Sequence, residues 1–362
     1  MGKYDKDRFL KELAVRLCLA RGMLPFLEVV VSSTSDLSDT PEVLTDLDVL
    51  GLQLVYDGGI RRTIFDCRSL NKMSAINRAF WAAGIMRYTS SDDSHVILKH
   101  KAVDNHRLSA LSIAVDLHDE NSFRELGNSY DPGFEMESKY QSSIDRWNDV
   151  YDCFIKNGWS EPLFLLSRNI TPLSQEPWNV FRRFVATLRD LKGHFDPAKN
   201  AHLAIYLDVL SSCFVLWTTL GRDIRRFYDP KMGKKEFESI LRYYIWGGKE
   251  SYIIRKQLRE KIGKDGGDAV ALDLPSWEKL VSFVGFLIEA PQHIFVCADV
   301  CREISIRTGS VPNEELDKGL SESIKKNRRV RQYTLALSDY LVSAAGLPKD
   351  LGKRVGELVL AS

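Results

Sequence analysis

The chain lacks the features that would classify it quickly. Its 362 residues include only six cysteines, too few for a disulfide framework at that length. An excess of one charge is missing too. Fifty Lys plus Arg face 49 Asp plus Glu, a net charge of +1, so any polyanion site has to be a local patch. No GxxxxGK[ST] loop, GxGxxG turn or GxSxG elbow occurs, which leaves an internal ATP motor, a dinucleotide fold and an esterase elbow unsupported. No repeat of fixed period is found. The opening segment MGKYDKDRFLKELAVRL has no apolar signal core, and with so few cysteines this points to a reduced, cytoplasmic protein.

What is present suits a packed core: 44% of residues are hydrophobic and 10% aromatic, well outside the range of disordered chains. One run, LAIYLDVLSSCFVLWTTLG (203–221), nearly reaches the roughly 20 apolar residues that span a bilayer. It carries Asp208 next to Ser211 and Ser212, and a charge there is costly in lipid. The reading is a helix buried in protein, with no membrane contact.

The pattern changes near residue 125. Before it, helix-like and strand-like periodicities alternate; after it, nearly everything is helix-like. The stretch NSYDPGFEMESK (128–139) has the Asn, Asp, Pro and Gly of a loop or linker. The first part predicts a helix over 4–21 with Phe9, Leu10, Leu13, Leu17 and Ala20 inward, stopped by Gly22. Strands follow over 26–32, 45–56 and 61–67, the last two joined by the turn signal Asp57-Gly58-Gly59. Then come a helix over 72–86, a strand over 95–100, a short helix over 104–110 and a strand over 111–117. The first three strands should form an antiparallel meander. The helix after the third is a right-handed crossover that lays the fourth strand parallel to it.

Alternation along a strand puts residues i and i+2 on one face, which pairs Asp46 with Asp48 and Asp66 with Arg68. If strands two and three pair through the hairpin, Asp48 and Asp66 converge. Adjacent carboxylates repel unless a cation sits between them, and hard oxygen ligands suit Mg²⁺ or Mn²⁺. The structural alternative is that these aspartates cap turns or pair with Arg61 or Arg62 across the hairpin.

An α-β-β-β-α-β order with Asp on the second strand (TDLDVLG) and an acidic residue two before a basic one on the third (FDCRS) resembles the PD-(D/E)xK nucleases, the restriction-endonuclease-like superfamily. The helix NKMSAINRAFWAAGI is similar to the family helix that turns basic and polar residues to the active site. The resemblance covers residues 1 to about 120. It implies an α+β protein: a restriction-endonuclease-like α/β core (αβββαβ) over 1–125 and a mainly α-helical domain over 126–362 for binding, oligomerisation or regulation. It further implies a metal-dependent endonuclease that hydrolyses phosphodiesters, DNA favoured over RNA, with Mg²⁺ or Mn²⁺ as cofactor. Asp48 and Asp66 would bind the metal with the backbone carbonyl of Cys67, Glu12 would complete the site, and Asp46 would stand behind these ligands. The family lysine is replaced by Arg68, a permanently charged fork suited to gripping phosphate, and Lys72 is the candidate for a migrated lysine. By family analogy the setting is restriction or anti-phage defence, with a partner defence protein or a second copy. The rival class is a nuclease fold that has lost its chemistry and only binds nucleic acid or a partner.

Three further patterns are weaker. Basic clusters at GRDIRRF, KMGKK and KKNRRVR offer Arg222, Arg225, Arg226, Lys325, Lys326, Arg328 and Arg329 as phosphate contacts, with Tyr228, Tyr243, Tyr244 and Trp246 near the first two. Each cluster alone also reads as a solvated helix face. Arg189 and His194 in RDLKGH are similar to the RxxxxH motif of HEPN ribonucleases, a third reading. His293, Cys297 and Cys301 repeat at helical spacing, but zinc needs a fourth ligand, and buried cysteines usually act as small hydrophobes.

Overall fold

The structure is a computed structural model; it describes residues 2–33, 42–69, 74–262 and 272–360. Helix α1 (Arg8–Ala20) opens the fold and ends where Gly22 takes φ +67° and the Met23 N–H bonds to the Cys18 carbonyl at 2.7 Å. Strands β1 (Leu24–Ser32), β2 (Val43–Leu54) and β3 (Ile60–Arg68) form the expected antiparallel meander. In the hairpin turn Gly58 has φ +82°, a conformation that favours glycine, and the Gly59 N–H donates to Asp57 Oδ1 at 2.8 Å. Helix α2 (Ala75–Tyr88) then crosses over to β4 (Asp93–Leu98), which lies parallel to β3. Helix α3 (Asp104–Leu111) leads to β5 (Val115–Asp119), parallel to β4, so the sheet order is β1-β2-β3-β4-β5.

Two apolar layers hold the sheet. On one face Val96, Leu98, Val115 and Leu117 pack with Ala79, Ala82 and Ala110 of α2 and α3. The rest of the sheet joins a larger cluster that runs from α1 through Phe26, Val49 and Phe65 into the helices beyond residue 140. The expected division at 125/126 falls inside α4 (Glu120–Tyr130), which begins at the end of β5 and packs on α1. The loop expected from residue 128 therefore starts later. The inward face of α1 also differs from expectation: Phe9 is 50% exposed, beneath the Arg124 guanidinium, while Lys11 is fully buried.

The helical part is built around the long helix Asn200–Phe227, flanked by the helices Pro177–Asp190 and Ile294–Gly309. That central helix is long and apolar enough to cross a bilayer, yet 94% of its most apolar window is buried inside protein. Its Asp208 is met by Arg168 Nη2 at 2.8 Å and by Arg302 Nε at 3.0 Å, all three buried. Arg168 comes from a wide π turn, Leu165–Ile170, just before Pro172, which has no N–H with which to continue a regular helix.

Candidate metal centre on the sheet

Asp46 and Asp48 lie two apart on β2. The pairs Leu27↔Val49 and Val29↔Leu47 set Glu28 of β1 beside Asp48. One step beyond Val49↔Phe65, Asp66 of β3 stands across from Asp48 on the other side. Asp48 is 3% exposed and Asp66 2%. Carboxylate oxygens of Glu28, Asp46 and Asp48 all lie within 4.8 Å of one another. Glu28 has φ +50° in the middle of a strand, an arrangement that costs a non-glycine residue about 1–3 kcal/mol.

Few cations balance this charge. Lys11 Nζ bonds to Glu28 Oε1 and lies 3.8 Å from Asp48 Oδ1. The Cys67 backbone N–H donates to Asp48 Oδ2 at 2.8 Å. Burial first, then the negative Asp66, pushes the Asp48 carboxyl up to about 7. Burial likewise raises Glu28, while a hydrogen bond with Glu28 lowers Asp46. Three crowded carboxyl groups, the middle one buried, offer the oxygen donors that suit a hard divalent cation.

Asp66 has a different surrounding. Arg78 of α2 donates to both of its oxygens and stacks its guanidinium 3.7 Å from the Trp81 ring centre. Arg68 Nε donates to Asp66 Oδ1 at 3.1 Å, and its Nη2 lies 3.9 Å from Asp48 Oδ2. Two guanidinium groups therefore already neutralise Asp66.

The expected ligand set is brought together in part. Asp48 and Asp66 do neighbour one another, but the carboxylates that close around Asp48 are Glu28 and Asp46. Asp46 thus belongs to the centre and does not stand behind it; nor does it meet Arg61, which pairs with Asp93. Glu12 is not in the cluster. It pairs with Arg16 at 2.7 Å and accepts the Ile144 N–H, joining α1 to the helical part. The group of Cys67 that touches the centre is its N–H, and its thiol is buried and raised well above the usual range. Lys72 lies outside the described residues. Glu28, Lys11 and Arg78 were missed. The one available signal was a lone charge in each of two apolar settings, LPFLEVVVS and the inward side of α1.

The basic clusters do not line this centre. Arg222, Arg225 and Arg226 border a pocket of about 390 Å³ at the β2–β3 hairpin tip, roughly 25 Å along the ribbon from Asp48. Asp223 meets Arg222 at 3.0 Å, and Asp57 lies 3.8 Å from Arg226. Lys325 and Lys326 end the helix Glu314–Lys326, and Arg328 and Arg329 begin the helix Arg328–Ala345. Glu322 lies 4.0 Å from Lys326, and Glu289 3.2 Å from Arg329. Acidic residues interleave with every cluster, as on a solvated helix face.

His194 lies in a short turn beyond the helix Pro177–Asp190 and stacks on Trp159 at 5.6 Å, off the helix that carries Arg189. Cys297 and Cys301 are fully buried. The Cys297 thiol points at the His293 carbonyl and Cys301 at Thr334, while His293 Nδ1 meets Asn327 at 2.9 Å. The stripe thus packs as core. No family model, curated protein or solved structure matches the chain.

Proposed function

We propose that the chain is a metal-dependent phosphodiester hydrolase acting on nucleic acid, DNA in preference to RNA, with Mg²⁺ or Mn²⁺ held by Glu28, Asp46 and Asp48. The observation that carries this reading is the carboxylate trio, mutually within 4.8 Å around the buried Asp48 and flanked by Arg68 and Lys11. A bound divalent ion would supply an activated water and neutralise phosphate charge. The chain's own residues do the rest. Lys11, entering from α1, takes the place beside the carboxylates that the family gives to a β3 lysine, and it orients Glu28 and Asp48. Arg68 can exchange its contacts to Asp66 and Asp48 for a phosphate oxygen and stabilise charge there. Arg78 holds Asp66 and frees Arg68 for that exchange. The restriction or anti-phage setting, with a partner defence protein or a second copy, is part of the same proposal and rests on the family resemblance alone.

One observation favours a second reading, a nuclease fold that binds without cutting: Asp66, the family's β3 ligand, is taken up by two arginines. Purified protein incubated with plasmid, linear duplex, single-stranded DNA and RNA, with Mg²⁺ or Mn²⁺, separates the two. Cutting that Asp48→Asn abolishes supports the hydrolase. Binding of nucleic acid without cutting under any metal supports the second reading, and cutting that survives Asp48→Asn overturns the assignment of the centre.

A further inference from the structure

A second ligand cluster lies on strands β4 and β5, outside the carboxylate centre. His95, near the start of β4, pairs in register with Asp116 of β5, and His118 follows two residues on, on the same side of that strand. One ligand atom from each of the three lies within 4.8 Å of the others.

The geometry within the cluster suits a metal better than a salt bridge. His95 is 4% exposed, and its Nδ1 has no hydrogen-bond partner. That nitrogen lies 3.5 Å from Asp116 Oδ2, too far for an ordinary N–H···O bond. Two ligand atoms that share a tetrahedral zinc at about 2.0–2.1 Å each stand about 3.3–3.4 Å apart. The observed gap matches that edge. His118 Nδ1 stands 3.5 Å from Ser122 Oγ, beside the first turn of α4. Ser122 also closes the capping box with Asp119 that starts α4. The His95 ring is held by stacking on Phe65 at 5.1 Å, and Phe123 packs edge-on against both imidazoles.

We propose that His95, Asp116 and His118 form a binding site for a borderline divalent transition metal, Zn²⁺ in the first place, with solvent at the fourth position. Imidazole nitrogens set its preference apart from that of the all-oxygen trio, which favours hard Mg²⁺ or Mn²⁺. Asp116 is half exposed, so the open position faces solvent. The ion would tie the edge strand β5 to β4. It satisfies a buried ring nitrogen that otherwise stays unpaired. The site does not depend on the hydrolase reading.

The test is a titration of the chelator-stripped full-length chain with Co²⁺, followed by Zn²⁺. The expected result is one equivalent of Co²⁺ with intense visible d–d bands of low-symmetry nitrogen–oxygen ligation, displaced by Zn²⁺. Sulfur charge-transfer bands should be missing, since all six cysteines are buried and free. Asp48→Asn should leave the spectrum unchanged. Asp116→Asn, a half-exposed change that keeps the fold by circular dichroism, should weaken binding about tenfold or more, and His118→Ala should remove the bands. A folded wild-type protein without such bands overturns the proposal. So does a spectrum that survives Asp116→Asn and His118→Ala, or one that Asp48→Asn removes.

Discussion

Replacing Asp48 with Asn should make the metal-free protein more stable and blind to divalent cations. The Asp48 carboxyl is 3% exposed and is pushed from 3.8 to about 7, first by burial and then by Asp66. A folded value above the unfolded one means that folding favours the protonated form. The stability tied to that proton is present in full below about pH 4 and is lost as pH rises through about 7. Each unit is worth about 1.4 kcal/mol, so the ionised carboxylate costs on the order of 4 kcal/mol well above neutrality. Asn keeps the shape, and its side-chain oxygen can still accept the Cys67 N–H. At an unfolding entropy of about 2.1 cal/mol/K per residue, 362 residues shift Tm by about 1.3 °C per kcal/mol. In EDTA at about pH 9 the variant should therefore melt about 3–5 °C above wild type, and at about pH 5 the gap should narrow to about 1–2 °C. Mn²⁺ at about 100 times its Kd should add about 2.7 kcal/mol, roughly 3–4 °C, to wild type and nothing to the variant. Scanning calorimetry at both pH values, with EDTA and with Mn²⁺, reads all four numbers. A variant that melts below wild type at high pH without metal, or an equal Mn²⁺ shift in both proteins, refutes the reasoning.

Other substitutions probe the neighbouring charges. Lys11→Met removes the fully buried amine between Glu28 and Asp48 and should destabilise by about 3–5 kcal/mol in urea unfolding at neutral pH, because it leaves buried carboxylates unpaired. A loss below about 1 kcal/mol would show that the amine is not their counter-charge. On the proposed hydrolase reading, Arg68→Lys supplies the amine that nucleases of the resembled family carry there and should raise Mn²⁺-dependent plasmid cutting; unchanged or lower cutting would make the guanidinium itself the working group. In the helical core two guanidinium groups serve one carboxylate, and burial and the nearby Arg168 bring Arg302 down to about 9. Arg302→Met should thus be near neutral or stabilising, while Asp208→Asn should cost about 3–5 kcal/mol by chemical denaturation. The opposite order would show that the excess positive charge stabilises the core.

Much of the fold was legible because it depends on local arithmetic. Alternating apolar residues mark β2 and β3, and the Asp57-Gly58-Gly59 turn fixes their register by counting outward, which sets Asp48 across from Asp66. The crossover through α2 follows from chain handedness. The partners of that pair were not legible for an equally physical reason. The connection from β1 to β2 is long and carries no turn signal, so the register that brings Glu28 beside Asp48 could not be counted. The burial of Lys11 depends on the rotation of α1 about its axis, which the wider apolar stripe of Phe9 and Ala20 misstated. Arg78 reaches Asp66 only because α2 is seated against β4 by Ala79 and Ala82.

The basic clusters and the histidines complete the contrast. A run such as KKNRRVR looks like a phosphate grip until the fold brings Glu289 and Glu322 alongside it. His95, Asp116 and His118 are unremarkable in sequence because two strands must pair before they meet. The sequence by itself determined the element order, the hairpin and the buried apolar helix, since these follow from periodicity and backbone preference over a few residues. Only the tertiary structure decided which charges share a site, because Coulomb and ligand geometry act across space between segments that the chain leaves far apart.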